Sequence, residues 1–132
     1  MRTENDVEAY LNKMNRRFVP DDERRGTYVL RATSEGMPPI ALQVEPPLLV
    51  ARVNVGHAPT EGGTQFFRRL LTLNASALVH TSFGLEDDNV VLTSALELEN
   101  LDYNELEALL DELDVTLAQH VPQLSELSKS SS

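Results

Sequence analysis

Cysteine and tryptophan are absent from the 132 residues of this sequence. Without cysteine the chain can form no disulfide, thiol nucleophile, iron–sulfur cluster or thiolate zinc site. It also lacks an uninterrupted run of about 18 apolar residues, so no membrane-spanning helix is predicted. The first ten residues, MRTENDVEAY, contain no apolar segment of the kind found in secretory signals. What is present, 41% apolar and 24% charged residues, is typical of an ordinary globular domain.

Positive charge is missing from nearly half of the chain. Residues 70–128 contain no Lys or Arg but twelve Asp and Glu, whereas residues 1–69 contain ten Lys and Arg and nine Asp and Glu. The formal net charge of −10 argues against a nucleic acid as the partner, because a phosphate backbone attracts basic surfaces. Two interpretations of the acidic half stay open: a solvated face that keeps a small protein soluble, or a surface that attracts basic segments of another protein.

Periodicity in the first half predicts one helix followed by three strands. Apolar side chains three and four residues apart predict an amphipathic helix over Glu4–Phe18, which Pro20 would end. Alternating apolar residues, or a high content of β-branched and aromatic residues, predict strands in the segments that follow. These strands are Thr27–Thr33, Ile40–Glu45 and Leu48–Val55.

The second half is predicted to contain two helices around a β-hairpin. One helix begins near Thr64, and the other begins at Asp102, whose spacing to Glu105 is typical of a capping box. Pro122 is expected to end or kink this last helix. Residues 125–132 are expected to form a disordered tail. The hairpin strands are Leu78–Leu85 and Val90–Leu98.

The predicted order of elements is therefore α-β-β-β-α-β-β-α. Short turns between successive strands favour an antiparallel sheet, and helices packed against one sheet make a two-layer α+β domain. We expect one such domain over residues 1–124.

No residue pattern typical of catalysis or metal binding is found. His57, His80 and His120 lack the spacing of metal ligands. The Asp87–Asn89 segment offers oxygen ligands without the 12-residue frame of a calcium loop, and turn chemistry accounts for it. The glycines before Thr64 lack the pattern of a phosphate-binding loop. We therefore predict a protein that is not an enzyme and has no cofactor; an enzyme of unrecognised type stays as a third hypothesis.

The apolar residues of the second helix cover an unusually wide arc. Six of them, between Phe66 and Leu78, span about 160° at 100° per residue, more than the ~100° needed to cover one sheet. In one interpretation the helix is sunk deeply between the sheet and its neighbours. In the other, one flank contacts a second subunit, with a symmetric dimer as the default geometry. The centre of that interface would be Phe66, Phe67, Leu70 and Leu71, since aromatic side chains anchor interfaces.

Four short motifs recur in a known pattern within residues 67–124. They are Leu70-Leu71-Thr72-Leu73-Asn74 at a helix end, Phe83-Gly84-Leu85 before acidic turn residues, Leu96-Glu97-Leu98 at a strand end, and Leu101-Asp102 with Glu105-Leu106 and Leu109-Leu110 opening the last helix. This half of the chain resembles the second half of type III secretion chaperone-like proteins, including the YbjN family of sensory transduction regulators. The order of elements also matches that fold. In the first half, the Glu45–Pro47 break resembles the YbjN proteins more than the secretion chaperones.

The resemblance implies a cytoplasmic, non-enzymatic and often dimeric protein that binds another protein. Apolar grooves and free strand edges can bind an extended peptide through main-chain hydrogen bonds and side-chain pockets. Two hypotheses follow. The protein is a chaperone-like module that binds a segment of a client protein, or it is a regulatory or accessory protein of the YbjN type that holds no client.

Overall fold

Residues 1–130 are described by a computed structural model, in which three α-helices pack on one six-stranded sheet. The helices are α1 (Glu4–Lys13), α2 (Thr64–Ser76) and α3 (Tyr103–Ser130). The strands are β1 (Phe18–Pro20), β2 (Thr27–Leu30), β3 (Ile40–Glu45), β4 (Leu48–His57), β5 (Ser82–Glu86) and β6 (Asn89–Glu97). Neighbouring strands are antiparallel in the order β1-β2-β3-β4-β6-β5, so β1 and β5 are the two edges.

The predicted two-layer α+β class with an antiparallel sheet is confirmed. The observed order differs from the prediction by one element, the short strand β1. The apolar spacing predicts Phe18 as part of the first helix, but in the structure it pairs with Leu30 at the edge of the sheet.

All three helices cover the same face of the sheet, because alternate strand residues and the helices contribute to one buried core. That core includes Val7 and Leu11 of α1, Leu73 of α2, Leu113 and Leu117 of α3, and Leu42, Ala51, Val53 and Leu92 of the sheet. The strand residues between them point to the opposite face. One row of that outer face crosses all six strands through Val19, Val29, Ala41, Arg52, Thr93 and Ser82. Among residues 1–130, no helix covers this outer face.

Helix α1 ends at Lys13, five residues before the predicted end. Asn15 adopts the left-handed conformation with φ of 58°. The N–H of Arg16 donates to the C=O of Leu11, and the N–H of Asn15 donates to the C=O of Asn12. These two bonds form the turn that closes a helix with a left-handed residue just beyond it, a position that Asn tolerates better than most residues.

Helix α3 begins as predicted but continues far beyond the predicted end. The Glu105 N–H donates to Asp102 Oδ1 at 2.7 Å and the Asp102 N–H donates to Glu105 Oε1 at 3.2 Å, which confirms the capping box. Pro122 lies inside the helix, on its exposed side, where the carbonyl it leaves unbonded can meet water. Leu124 is buried in the core beyond it and holds the helix in place. Residues 125–130, expected as a disordered tail, belong to α3; residues 131 and 132 lie outside the described residues.

Two predicted strands are longer than the observed ones, because carboxylates of α3 bind the amides concerned. Asp114 Oδ1 accepts the Thr33 N–H at 3.1 Å, beyond the end of β2 at Leu30. Glu112 accepts the N–H groups of Val79 and His80 at 2.9 and 2.8 Å, before the start of β5.

Candidate protein-binding surfaces

The four residues predicted as an interface on α2 divide into two pairs. Phe66 and Leu70 belong to the core of the chain, with 3% and 5% of their surface exposed. Leu71 is 69% exposed, and Phe67 is half-buried. The wide apolar arc therefore has an inner flank, which the sheet covers, and an outer flank of Phe67 and Leu71. Of the four predicted residues, Phe67 and Leu71 therefore leave surface that a second subunit can contact.

Phe67 is held in place from two sides. Its ring meets the ring of Phe66 edge-on, with centroids 5.5 Å apart and planes at 89°. A Cβ atom added to Gly63 would lie 2.7 Å from Phe67 Cε2, so glycine at this N-cap position leaves the space that the ring occupies. The aromatic side chain is thus fixed on the surface of α2, as an interface anchor needs to be.

The β5 edge is closed by a side chain of α2. Asn74 Oδ1 accepts the Phe83 N–H at 2.7 Å, and Asn74 Nδ2 donates to the Phe83 C=O at 3.0 Å. Since both backbone groups of Phe83 are used in this way, they point away from β6. The next residue with the same orientation is Leu85, which is exposed.

The segment before β5 is hydrogen-bonded both to helix α3 and to the sheet. Glu112 of α3 accepts the amides of Val79 and His80, and Ser94 Oγ of β6 donates to the His80 C=O at 2.6 Å. Although burial alone would raise the pKa of Glu112, the hydrogen bonds from the Val79 and His80 amides hold this pKa below its ordinary value. Glu112 is therefore a structural acceptor, despite its place in an acidic helix.

The opposite edge, β1, lies beside a groove. The Asp21 N–H donates to the Thr27 C=O. Because hydrogen-bonded pairs alternate along an antiparallel ladder, Val19 bonds to Val29 while Phe18 turns its backbone N–H and C=O away from β2. Val19 is 67% exposed. The groove, of about 690 Å³, is lined by Asn12, Asn15, Arg16, Arg17, Phe18 and Val19.

An ion pair crosses the outer face of the sheet. Arg52 of β4 contacts Glu86 of β5, with Nη2 and Oε2 2.6 Å apart. The pair spans the intervening strand β6 at the level of Val91, which is 4% exposed although it lies on the uncovered face. This end of the outer face is therefore shielded by charged side chains.

No group of three or more His, Asp or Glu with metal-binding geometry occurs within residues 1–130. A cavity of about 240 Å³ between α2, β4 and α3 is lined mainly by apolar residues, among them Phe66, Val90 and Leu124. The described side chains with a shifted pKa are Asp6, Tyr28, Tyr103, Glu112 and His120, and none of them lines this cavity.

His120 is the histidine with the most constrained surroundings. Burial lowers the pKa of its imidazole, and the nearby Arg69 guanidinium lowers it further. Its Nδ1 atom is buried and has no hydrogen-bond partner among the described residues. The lowered pKa favours the neutral form of this imidazole, which lies on α3 close to Arg69 of α2. Of the helices in the described part of the chain, none is long and apolar enough to cross a membrane.

Solved structures with this fold come from several bacteria. The ExoU–SpcU complex of the type III secretion system of Pseudomonas aeruginosa matches with a TM-score of 0.67 and 19% identity, over 88% of this chain and 95% of that chain. YbjN of E. coli matches with a TM-score of 0.65 and 12% identity, over 87% and 88%. The Yersinia pestis type III secretion chaperone SycH, solved with a fragment of YscM2, matches with a TM-score of 0.60 and 19% identity, over 86% and 98%.

At these identities the likeness concerns the fold. No curated protein matches the chain by sequence. The model of the CesT_Tir_1 family, a family of type III secretion chaperones, matches residues 1–130. The resemblance found in the sequence motifs is thereby confirmed, and the chain belongs to the CesT_Tir_1 family.

Proposed function

We propose that this protein is a non-catalytic, chaperone-like module that binds an extended segment of another protein in the cytoplasm. The observation that carries the proposal is the β1 edge, where Phe18 turns free backbone groups outward beside a groove and Val19 is exposed. Membership in the CesT_Tir_1 family supports it. So does the occurrence of the same fold in the ExoU–SpcU and SycH–YscM2 complexes.

Binding at this edge would use the main chain for affinity and side chains for selectivity. A partner strand beside β1 can exchange hydrogen bonds with Phe18, and its alternate side chains then lie on opposite faces of the sheet. One set meets the outer face next to Val19. The other set enters the groove lined by the end of α1. Arg17 is exposed on the rim, so an acidic side chain in the partner segment would be favoured there.

A homodimer through α2 is the second part of the proposal. Phe67 and Leu71 are four residues apart and therefore lie on the same side of the helix. Leu85 of β5 is also exposed, on the strand that Asn74 joins to α2. A symmetric contact would bring these apolar side chains of two copies together and leave the β1 edges open. The core residues Phe66 and Leu70 would support this surface from beneath.

A regulatory or accessory role is the alternative, favoured by the match to YbjN. In that case the protein would contact a folded partner and hold no extended segment. The chaperone-like function predicts that an extended segment contacts the β1 edge, whereas the regulatory alternative predicts contact with a folded partner.

A photo-cross-linker at the β1 edge would distinguish them. Because the chain has no cysteine, Val19→Cys creates a unique attachment point for a benzophenone maleimide. The matched control is Ala108→Cys, on the exposed side of α3. Cross-linking is done in cytoplasm of the native cell, followed by mass spectrometry of the joined peptides.

The chaperone-like function predicts that position 19, and not position 108, captures segments that lack globular structure in their own proteins. Capture of folded partners only would support the regulatory alternative. Equal capture at both positions would contradict binding at the β1 edge.

A further inference from the structure

Every open sheet has two edges at which a partner strand can add, and in this protein the two edges differ. We propose that Asn74 is a specificity-determining residue that closes the β5 edge and so restricts strand addition to β1. This inference rests on the proposed function, because it names which of the two edges accepts a partner. It is carried by the two hydrogen bonds between Asn74 and Phe83.

The amide of Asn74 takes the place of a residue in an added strand. In the hydrogen-bonded pairs of an antiparallel ladder, two opposite residues exchange both N–H···O=C bonds. Asn74 reproduces this exchange with one side chain, since Oδ1 accepts from the Phe83 N–H at 2.7 Å and Nδ2 donates to the Phe83 C=O at 3.0 Å. An added strand would therefore have to break both bonds before it could pair with Phe83.

Little of the β5 edge remains once Phe83 is occupied. Towards the N-terminus, Val79 and His80 donate their amides to Glu112 and do not extend the strand. Towards the C-terminus, Leu85 is the one outward-facing residue before the turn at Asp87 and Asp88.

Within residues 1–130, no side chain closes the β1 edge by hydrogen bonds to the backbone of Phe18 in the way that Asn74 closes β5. Arg16 directs its guanidinium to Asp114 and to the Arg31 C=O, and thus towards the interior of the fold. The outward groups of Phe18 stay accessible from the groove. The closure of the β5 edge thus depends on one amide side chain, which makes it testable by one substitution.

The test uses the whole chain without a partner. Asn74→Ala removes both hydrogen bonds, and Asn74→Asp keeps the acceptor for the Phe83 N–H but loses the donor for its C=O. Asn104→Ala, at an exposed position of α3, is the control. Amide hydrogen exchange at Phe83 is measured by NMR. We expect exchange about tenfold faster in Asn74→Ala, little change in Asn74→Asp, and none in Asn104→Ala.

A second readout asks whether the opened edge pairs with another strand. Gly84→Cys is combined with each variant, because a Cβ at Gly84 meets no atom within 4 Å and the chain has no other cysteine. If two copies pair through β5 with Phe83 opposite Leu85, the two residues 84 face each other at a separation that suits a disulfide. We expect disulfide-linked dimers after mild oxidation at least fivefold more often with Asn74→Ala than with Asn104→Ala.

Equal exchange at Phe83 in the wild type and Asn74→Ala, or equal cross-linking at position 84 in both backgrounds, would overturn the role of Asn74. If Asn74→Ala does not fold, Asn74→Leu decides, because it removes both hydrogen bonds and keeps a side chain of similar size: faster amide exchange at Phe83 than in Asn104→Ala supports the closure, and equal exchange contradicts it. Neither readout involves β1. A negative result for Asn74 therefore does not affect the proposed binding of a partner segment at β1, which the cross-linking experiment at position 19 tests separately.

Discussion

Arg16 and Asp114 form a bidentate ion pair that joins the end of α1 to the middle of α3. Nη1 lies 2.6 Å from Oδ2, and Nη2 lies 3.0 Å from Oδ1. Both side chains are largely buried, with 14% and 8% exposed. The same two groups also bind the chain after β2: Arg16 donates to the Arg31 C=O and Asp114 accepts from the Thr33 N–H. The groove beside β1 therefore rests on this pair.

Removing one partner of this pair should strongly destabilise the fold. Asp114→Ala leaves a largely buried guanidinium and the Thr33 amide without their acceptor, and we expect it to lower the free energy of unfolding by about 3–5 kcal/mol. The matched control is Glu86→Ala, which breaks the half-exposed pair with Arg52 and should cost at most about 1 kcal/mol. Urea unfolding followed by circular dichroism measures both. Similar losses for the two variants would contradict the structural role of the buried pair.

Replacing either of two adjacent leucines of α2 by alanine should change the stability of the fold to very different extents. Leu70→Ala leaves a cavity in the core and should lower the free energy of unfolding by about 2–5 kcal/mol. Leu71→Ala should change it by no more than about 0.5 kcal/mol, since Leu71 is exposed. Thermal and urea unfolding of the two variants, at a concentration where the protein is monomeric, provide the comparison.

The proposed dimer predicts a different result for Leu71→Asp. A carboxylate in the centre of an apolar interface costs binding energy, so the variant should sediment as a monomer while its far-UV dichroism stays unchanged. Phe67→Asp should act in the same direction. A wild type that already sediments as a monomer at high micromolar concentration would rule out the dimer.

Glu112 should make the stability depend on pH in the acidic range. Its pKa is lowered in the folded state, because the hydrogen bonds from the Val79 and His80 amides outweigh the effect of burial. The stabilisation is thus fully present above the ordinary pKa of 4.5 and is lost as the pH falls through the folded value. Glu112→Gln should be less stable than the wild type at neutral pH, and the difference should shrink below about pH 4. A constant difference across this range would show that the charge of Glu112 is not involved.

His120 should add a second pH dependence, nearer to neutrality. Its pKa is lowered from 6.5 in the folded state, first by burial and then by Arg69. The unfolded chain therefore binds a proton more readily, and stability should fall as the pH drops below 6.5 towards the folded pKa. In Arg69→Ala an NMR titration should show a higher pKa for His120. An unchanged titration would contradict the proximity of the two side chains.

The sequence predicted the architecture well where apolar periodicity decides it. The strand Ile40–Glu45 and the start of α3 were predicted to the residue or within one residue. The two strands that were predicted too long share a cause, namely backbone amides bound by side chains distant in sequence. Asp114 and Glu112 accept the amides that would otherwise prolong β2 and β5, and a one-dimensional pattern contains no sign of either contact.

The candidate surfaces were predicted only in part. A helical wheel of α2 cannot tell the buried pair, Phe66 and Leu70, from the outer pair, Phe67 and Leu71. How deeply the helix packs on the sheet depends on residues outside the helix. The short strand β1 was missed because Phe18 continues the apolar spacing of α1. Asn15 was the available sign that the helix ends earlier, since Asn tolerates the left-handed conformation found there.

The unequal edges also limit how this chain can assemble. A fibre that grows by strand addition requires two open sheet edges on each subunit, one that pairs with the copy before it and one that pairs with the copy after it. With Phe83 already satisfied by Asn74, a subunit that captures a strand at β1 has no matching side to pass on. If partner strands add at β1 alone, as proposed, pairing ends after one event and the protein cannot polymerise through its sheet edges.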